Sequence, residues 1–250
     1  VVWLAHQPLP GSVEALKSWR AAGHEIVFCT NNSFSTIADQ ESFLAAIGIE
    51  ASNRVVSSAT AAGSLVQAGE DVLVCGGPGI IEAVTDRGAT AVVHGENLAD
   101  VDAVIVGFDR TFDYLKLKTA SAAVRSGARL IGTNHDPTYP TPEGEIPGGG
   151  SLVAAVAYAS ETEAIFAGKP MRPMFAAAMS VAKRLVGRAI DVNEIFVVGD
   201  RDDSDGEFAR RNGVQFCHVK TGVKSPPSSG VKSFADLAAV VSQLLGARDA

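Results

Sequence analysis

The run Ile195-Phe196-Val197-Val198 is apolar at every position, stops at Gly199, and is followed at once by Asp200, Asp202, Asp203 and Asp205. An apolar run without alternation reads as a strand buried on both faces of a parallel sheet. Carboxylates cannot share such a strand, so they must stand at its carboxyl end. In open α/β sheets that edge is where ligands bind. An acid-rich site offering only oxygen donors suits a hard cation such as Mg2+. A plainer reading stays open on the same residues: a solvated acidic turn, with Asp205 as the N-cap of a helix beginning near Glu207.

The rest of the chain has room for such a sheet. Its 250 residues are 46% hydrophobic with 25 glycines, enough for a large core as one big domain or two smaller ones. A net charge of −7 argues against nucleic acid or an anionic membrane surface as the main partner. No apolar run reaches the roughly 18 residues needed to span a bilayer, and no signal peptide is read ahead of the first domain. The three cysteines each end an apolar run, at Phe28-Cys29, Val74-Cys75 and Phe216-Cys217. They read as reduced core residues on strands, and no pair has metal-ligand spacing. A cytoplasmic enzyme is expected.

Strand and helix patterns alternate along the chain, which indicates a parallel sheet with helices on both faces. Strands are expected at 1–4, 25–29, 55–56, 72–75, 91–93, 104–106, 129–131, 195–198 and 214–219. Helices are expected at 12–22 (capped by Ser12), up to 47, 59–68, 80–86, 114–126, 151–158, 173–186 and 234–245. Residues 133–150 read as a long Pro/Gly-rich polar loop, long enough to be functional. A second loop, at 225–230, reads as surface.

Three stretches carry chemistry. Thr30-Asn31 offers a hydroxyl and an amide at one strand end. Lys169 is held in a defined turn between Gly168 and Pro170, and Asp200 stands at another strand end. Hydroxyl, ammonium and metal-binding carboxylate together describe a site for a phosphoryl group, where catalysis is mostly positioning and charge stabilisation. Singly they are weak: a lone lysine is usually solvated, and Asn-Asn is usually a turn.

Thr30-Asn31-Asn32-Ser33, Gly168-Lys169-Pro170 and Gly199-Asp-Arg-Asp-Asp-Ser-Asp205 resemble the second, third and fourth motifs of the haloacid dehalogenase superfamily. The likeness is strongest to its NagD-like branch of small phosphomonoester phosphatases, and it covers nearly the whole chain. It takes in Pro8-Leu-Pro-Gly11, Thr133-Asn134 and Pro147-Gly-Gly-Gly-Ser-Leu152 as well. The resemblance implies an α/β fold, a doubly wound parallel-sheet core at 1–72 and 164–250 with a smaller α/β cap inserted at 73–163. It implies that Thr30, with Asn31, serves the transferring phosphoryl, that Lys169 neutralises it, and that Asp200 binds Mg2+ with support from Asp205. Asn32 and the polar, aromatic-tipped loop bearing Asn134, His135 and Tyr139 are expected to contact a small phosphorylated metabolite. A homodimer through the cap is common in this branch.

One departure stands out. The family's Asp-X-Asp-Gly motif supplies the nucleophile, which forms an aspartyl-phosphate, and the general acid/base. Val1-Val2-Trp3 resembles the residues just after that glycine, so the motif is expected immediately ahead of Val1. The strand carrying it belongs, in the family, between those of Cys29 and Val198. The chain from Val1 alone is therefore expected to fold poorly and to show no turnover.

Two rival functions differ in class. One is a catalytically inactive protein that keeps the phosphoester site. The other is a nucleotide binder, suggested by Cys75-Gly-Gly-Pro-Gly79 after a strand. That cluster lacks the dinucleotide spacing and the acidic residue that should come after it, and reads better as a tight strand-to-helix turn. The histidines His6, His24, His94 and His218 read as surface or packing residues; His135 differs because of its loop.

Overall fold

The computed structural model describes residues 1–4, 7–93, 100–141, 143–222 and 226–246. His6, His94 and Ser225 lie outside these residues. In chain order the elements begin with β1 (Trp3–Leu4), β2 (Gln7–Pro8), α1 (Ser12–Ala21), β3 (Phe28–Thr30), α2 (Ile37–Ala46), β4 (Val55–Ser57) and α3 (Ser58–Gly63). Then come β5 (Asp71–Cys75), α4 (Pro78–Thr85), β6 (Thr90–Val92), β7 (Ala103–Val106), α5 (Tyr114–Arg125) and β8 (Arg129–Gly132). Next are β9 (Thr138–Thr141), β10 (Gly144–Pro147), α6 (Gly149–Ser160), β11 (Ile165–Phe166) and α7 (Arg172–Val186). The chain continues with β12 (Phe196–Gly199), α8 (Glu207–Asn212), β13 (Gln215–Val219), β14 (Ser233–Phe234) and α9 (Leu237–Gly246). It is an α/β fold with parallel sheets, as expected. No helix among the described residues is long and apolar enough to cross a membrane.

The chain divides into two compact units. The first comprises residues 1–28, 40–55 and 178–250; the second comprises 29–39 and 56–177. In the second unit a parallel sheet runs in the order β11-β8-β7-β5-β6. Its central strands are buried on both faces, which is why they read as unbroken apolar runs. Leu73, Val104, Val106 and Leu130 pack with Ala120, Ala123 and Val124 of α5 and Val153 and Val156 of α6. The alternate residues Val72, Val74, Ile105 and Ile131 are equally buried.

In the first unit β12, β13 and β14 form a parallel sheet in that order. Its core joins Cys217, Val219 and Val240 to Val1, Phe196, Val198, Phe234 and Leu244. The strand expected to be buried on both faces, 195–198, is corrected here. Phe196, Val197 and Val198 of β12 are half-buried, and among the described residues the strand pairs with β13 alone.

Three other local expectations change. Helix α1 is N-capped by Gly11, with φ 74°, while the Ser12 hydroxyl donates to the carbonyls of Val2 and Leu9 at 2.8 Å. Helix α3 is capped by Ser57, which accepts from the Thr60 N–H at 3.1 Å, and it ends at Gly63, well short of residue 68. The loop expected at 133–150 contains an antiparallel ribbon, β9 paired with β10. Pro140, Pro147 and Gly144 hid it, because prolines normally speak against a strand; a two-stranded ribbon tolerates them since each strand has only one neighbour.

The cysteines are as read. Cys29, Cys75 and Cys217 form no disulfide and sit on β3, β5 and β13. Burial pushes the Cys75 thiol up to about 12, which makes it an inert packing residue.

Candidate active site

The second unit gathers strand ends. Chain after β5, β7, β8 and β11 meets residues 31–35, the short segment that follows β3. Asn31 is the centre. Its Oδ1 accepts from the Lys169 N–H at 2.9 Å, and its Nδ2 donates to the Lys169 carbonyl at 3.2 Å. The same Nδ2 donates to Asp136 Oδ2 at 2.9 Å. The Asn31 carbonyl accepts from Ser58 Oγ at 2.8 Å and from Asn134 Nδ2 at 2.9 Å. The Lys169 turn itself hangs on the chain just after β8, with the Gly168 N–H donating to the Thr133 carbonyl at 2.7 Å. A Cβ at Gly168 would collide with that carbonyl and with Asn31 Oδ1, so only glycine lets the lysine turn come this close.

Thr30 closes the end of β3, and its Oγ1 accepts from the Asn32 N–H at 3.1 Å. A hydroxyl used as an acceptor in this way keeps its own O–H for donation. Asn32 turns back on its own backbone, its Oδ1 accepting from the Phe34 N–H at 2.9 Å, an arrangement that fixes the bend after the strand. Ser33 is fully buried against Thr133 Oγ1 at 3.2 Å and the Phe108 N–H at 3.3 Å.

Of the residues expected to meet substrate, the structure separates two kinds. Asn134 is buried, with its Nδ2 on Asn31 and its Oδ1 accepting from the Asp136 N–H at 3.0 Å. Its amide is thus built into the turn. His135 and Tyr139 are exposed: His135 lies over Phe166, centroids 4.5 Å apart, and Tyr139 stacks on Phe108 at 4.6 Å. Ser33 and Thr133 enter the sequence reading only as members of motif stretches, and Ser58 and Asp136 are given no role in it. Asp136 alone carried a signal, since Asn-X-Asp is a common self-bonding turn.

The glycine cluster after β5 is the tight turn expected of it. Gly77 caps α4, and the Gly79 N–H donates to the Phe34 carbonyl at 2.9 Å. A helix start already bonded to backbone is not a pyrophosphate cradle.

In the first unit β12 delivers the acidic segment. Residues Asp202–Gly206 form a π turn, and α8 is capped by Gly206 with no side-chain cap bond. Asp205 therefore does not cap the helix. It is buried against Gly199, where a Cβ would have no room, and its Oδ2 accepts from the Arg201 N–H at 3.2 Å. Two of the carboxylates are matched by arginines. Asp202 takes Arg210 Nη1 at 3.1 Å and Ser228 Oγ at 2.5 Å. Burial would raise its carboxyl, but those bonds prevail and hold it below the usual range. Asp203 is exposed and bidentate to Arg201, at 3.0 and 2.8 Å, which lowers it too. Asp200 lies at the strand end, 3.6 Å from the Val1 amino group and closely packed by Gly222.

Among the described residues no three His, Cys, Asp or Glu side chains gather to enclose a metal. Mg2+ rarely asks for that: it takes one or two carboxylates and completes its shell with water and substrate oxygens. Asp202 and Asp203 face arginines, and Asp200 and Asp205 are the carboxylates expected from the sequence to serve such an ion.

A model of the haloacid dehalogenase-like hydrolases matches residues 1–90, and a second, HAD-hydrolase-like model matches residues 166–246. An acid sugar phosphatase of Staphylococcus haemolyticus is 33% identical over 233 residues, 88% of this chain and 85% of that protein. Among solved structures, a hypothetical protein from Pyrococcus horikoshii matches with TM-score 0.86 and 31% identity, over 98% of this chain and 96% of that one. Glycerol phosphate phosphatase from Mycobacterium tuberculosis, solved in complex with magnesium, matches with TM-score 0.83 and 31% identity, over 96% and 73%.

Proposed function

Because the chain belongs to the haloacid dehalogenase-like hydrolase family, we propose that it is a Mg2+-dependent phosphatase of small phosphomonoesters. The observation that carries this reading is the clasp of Asn31 on the Lys169 backbone, one residue from the Thr30 hydroxyl. It ties the backbone of the turn that carries Lys169 to the strand end that carries Thr30, which supports a cation and a hydroxyl donor serving one phosphoryl group in transfer. Thr30 donates to a phosphoryl oxygen, Lys169 offsets its charge, and Asn31 and Asn134 hold both in place. Asp200 and Asp205 would hold Mg2+, which when bound adds charge stabilisation at the phosphoryl group.

The nucleophile in this proposal is the first aspartate of an Asp-X-Asp-Gly segment ahead of Val1. A segment preceding Val1 would run beside Asp200, since the Val1 amino group lies 3.6 Å from that carboxylate. The aspartate oxygen attacks phosphorus, the ester P–O bond breaks, and the second aspartate protonates the departing alcohol. Water then cleaves the acyl phosphate. Residues 73–163 form the cap in this reading, with His135 and Tyr139 facing the leaving group and a cap-to-cap homodimer as the assembly.

The relatives named acid sugar phosphatase and glycerol phosphate phosphatase favour a small polar leaving group. The test is phosphate release from a panel of small phosphomonoesters by a chain carrying the upstream segment. Release that EDTA abolishes and Mg2+ restores is the expected result. Binding of phosphoesters without release would favour the inactive binder, and neither binding nor release would overturn both.

A further inference from the structure

We propose that Asp136 is a positioning residue for Lys169, acting through the Asn31 side-chain amide; this rests on the phosphatase reading for its catalytic consequence only. A primary amide has two N–H groups and one carbonyl, and its two ends are nearly the same shape. The Lys169 backbone presents one donor and one acceptor to Asn31, at 2.9 and 3.2 Å. A flipped amide would set oxygen against the Lys169 carbonyl and nitrogen against its N–H, undoing both bonds. Asp136 Oδ2 removes that alternative. A carboxylate oxygen is an acceptor, and at 2.9 Å it calls for the nitrogen end of the amide. Asn31 is thereby held in the one orientation that grips the lysine turn.

Asp136 is itself well anchored. Its N–H donates to Asn134 Oδ1 at 3.0 Å, and its carbonyl accepts from the Gly150 N–H at 3.0 Å. It stands between Asn134 and the β9–β10 ribbon, so the segment leading to the ribbon and the lysine turn share one amide.

The experiment is a double-mutant cycle of Asp136→Ala and Asn31→Ala, with Asp136→Asn as the conservative variant. On a chain carrying the upstream segment, Asp136→Ala should lower kcat/KM on 4-nitrophenyl phosphate about 10- to 100-fold, the weight of a charge-assisted hydrogen bond. Inorganic phosphate should inhibit it correspondingly less well. In the Asn31→Ala background the same change should cost almost nothing further, because the intermediary is gone. Asp136→Asn keeps an acceptor oxygen and should recover most of the loss. Independently of turnover, hydrogen exchange at the Lys169 amide should quicken in Asp136→Ala. Equal costs of Asp136→Ala in both backgrounds, or unchanged exchange at Lys169, would overturn the proposal. Absence of phosphatase activity with the exchange effect intact would overturn the functional reading and leave the positioning role standing.

Discussion

The two candidate regions, one in each unit, are made in opposite ways. The acidic turn after β12 is mostly local: its carboxylates lie within six positions, and Arg201 and Arg210 are two and eight residues away from the acids they hold, with Ser228 on Asp202 the more distant bond. The lysine clasp is assembled from afar, its bonds joining residue 31 to residues 105 and 138 positions along the chain. The arginine pairs of such a turn need little beyond the turn and the helix after it. An assembled one exists only when several strands of a sheet are in register, because each loop is placed by the strand before it.

The difference predicts how each part breaks. The largest effect belongs to Asp200→Asn in a chain carrying the upstream segment: Mg2+-dependent turnover should vanish while the circular dichroism spectrum and melt stay as they were. Calorimetric Mg2+ titration that gives unchanged affinity would remove Asp200 from the metal. Next comes Lys169→Ala, which should lower kcat on 4-nitrophenyl phosphate by about 100- to 1,000-fold, the scale of losing a preorganised charge at the phosphoryl group. A near-native rate would show that the clasp holds a surface lysine.

Arg210→Ala should act on stability rather than chemistry, by about 1–2 kcal/mol, moderated by the partial exposure of Arg210. Asp202 is held below the ordinary carboxylate range, so its contribution is in place above that range and is lost as pH falls through the lowered value. Without Arg210 the folded-state value rises, and acid unfolding should begin at a higher pH. Melts at neutral and acid pH read this directly, and parallel curves for both proteins would mean that the pair is idle. The smallest change in overall rate is expected from replacing His135 and Tyr139 together by alanine. The ranking of substrates should shift more than the rate on 4-nitrophenyl phosphate; a uniform slowing of every substrate would make the ribbon a lid.

Legibility in the sequence divides along the same line. The acidic turn announced itself because its acids are closely spaced and interrupt an apolar run. Sequence could not tell which acids arginine would balance, since Arg201 and Arg210 sit at similar spacing from several of them. Thr30, Asn31 and Lys169 were found as motif residues, and their family roles came with the likeness. That Asn31 would turn its amide to the Lys169 backbone depends on β3, β8 and β11 ending together, and no short-range pattern carries that. Asn134, expected to contact substrate, is buried with its Nδ2 on the Asn31 carbonyl, a placement set by packing that no local pattern carries. The buried sheet of the second unit was the easiest part to read, as its strands are apolar on both faces. The β9–β10 ribbon was the hardest, because its prolines mimic a loop.

Those prolines have an effect beyond local geometry. Each strand of the ribbon carries one, Pro140 in β9 and Pro147 in β10, and each deletes an N–H from the row that another chain would need in order to add a strand. The ribbon is thus a poor template for intermolecular pairing, although it is short, extended and largely exposed. Residues near its tip can change in sequence, and with them whatever the ribbon touches, without turning the protein toward aggregation.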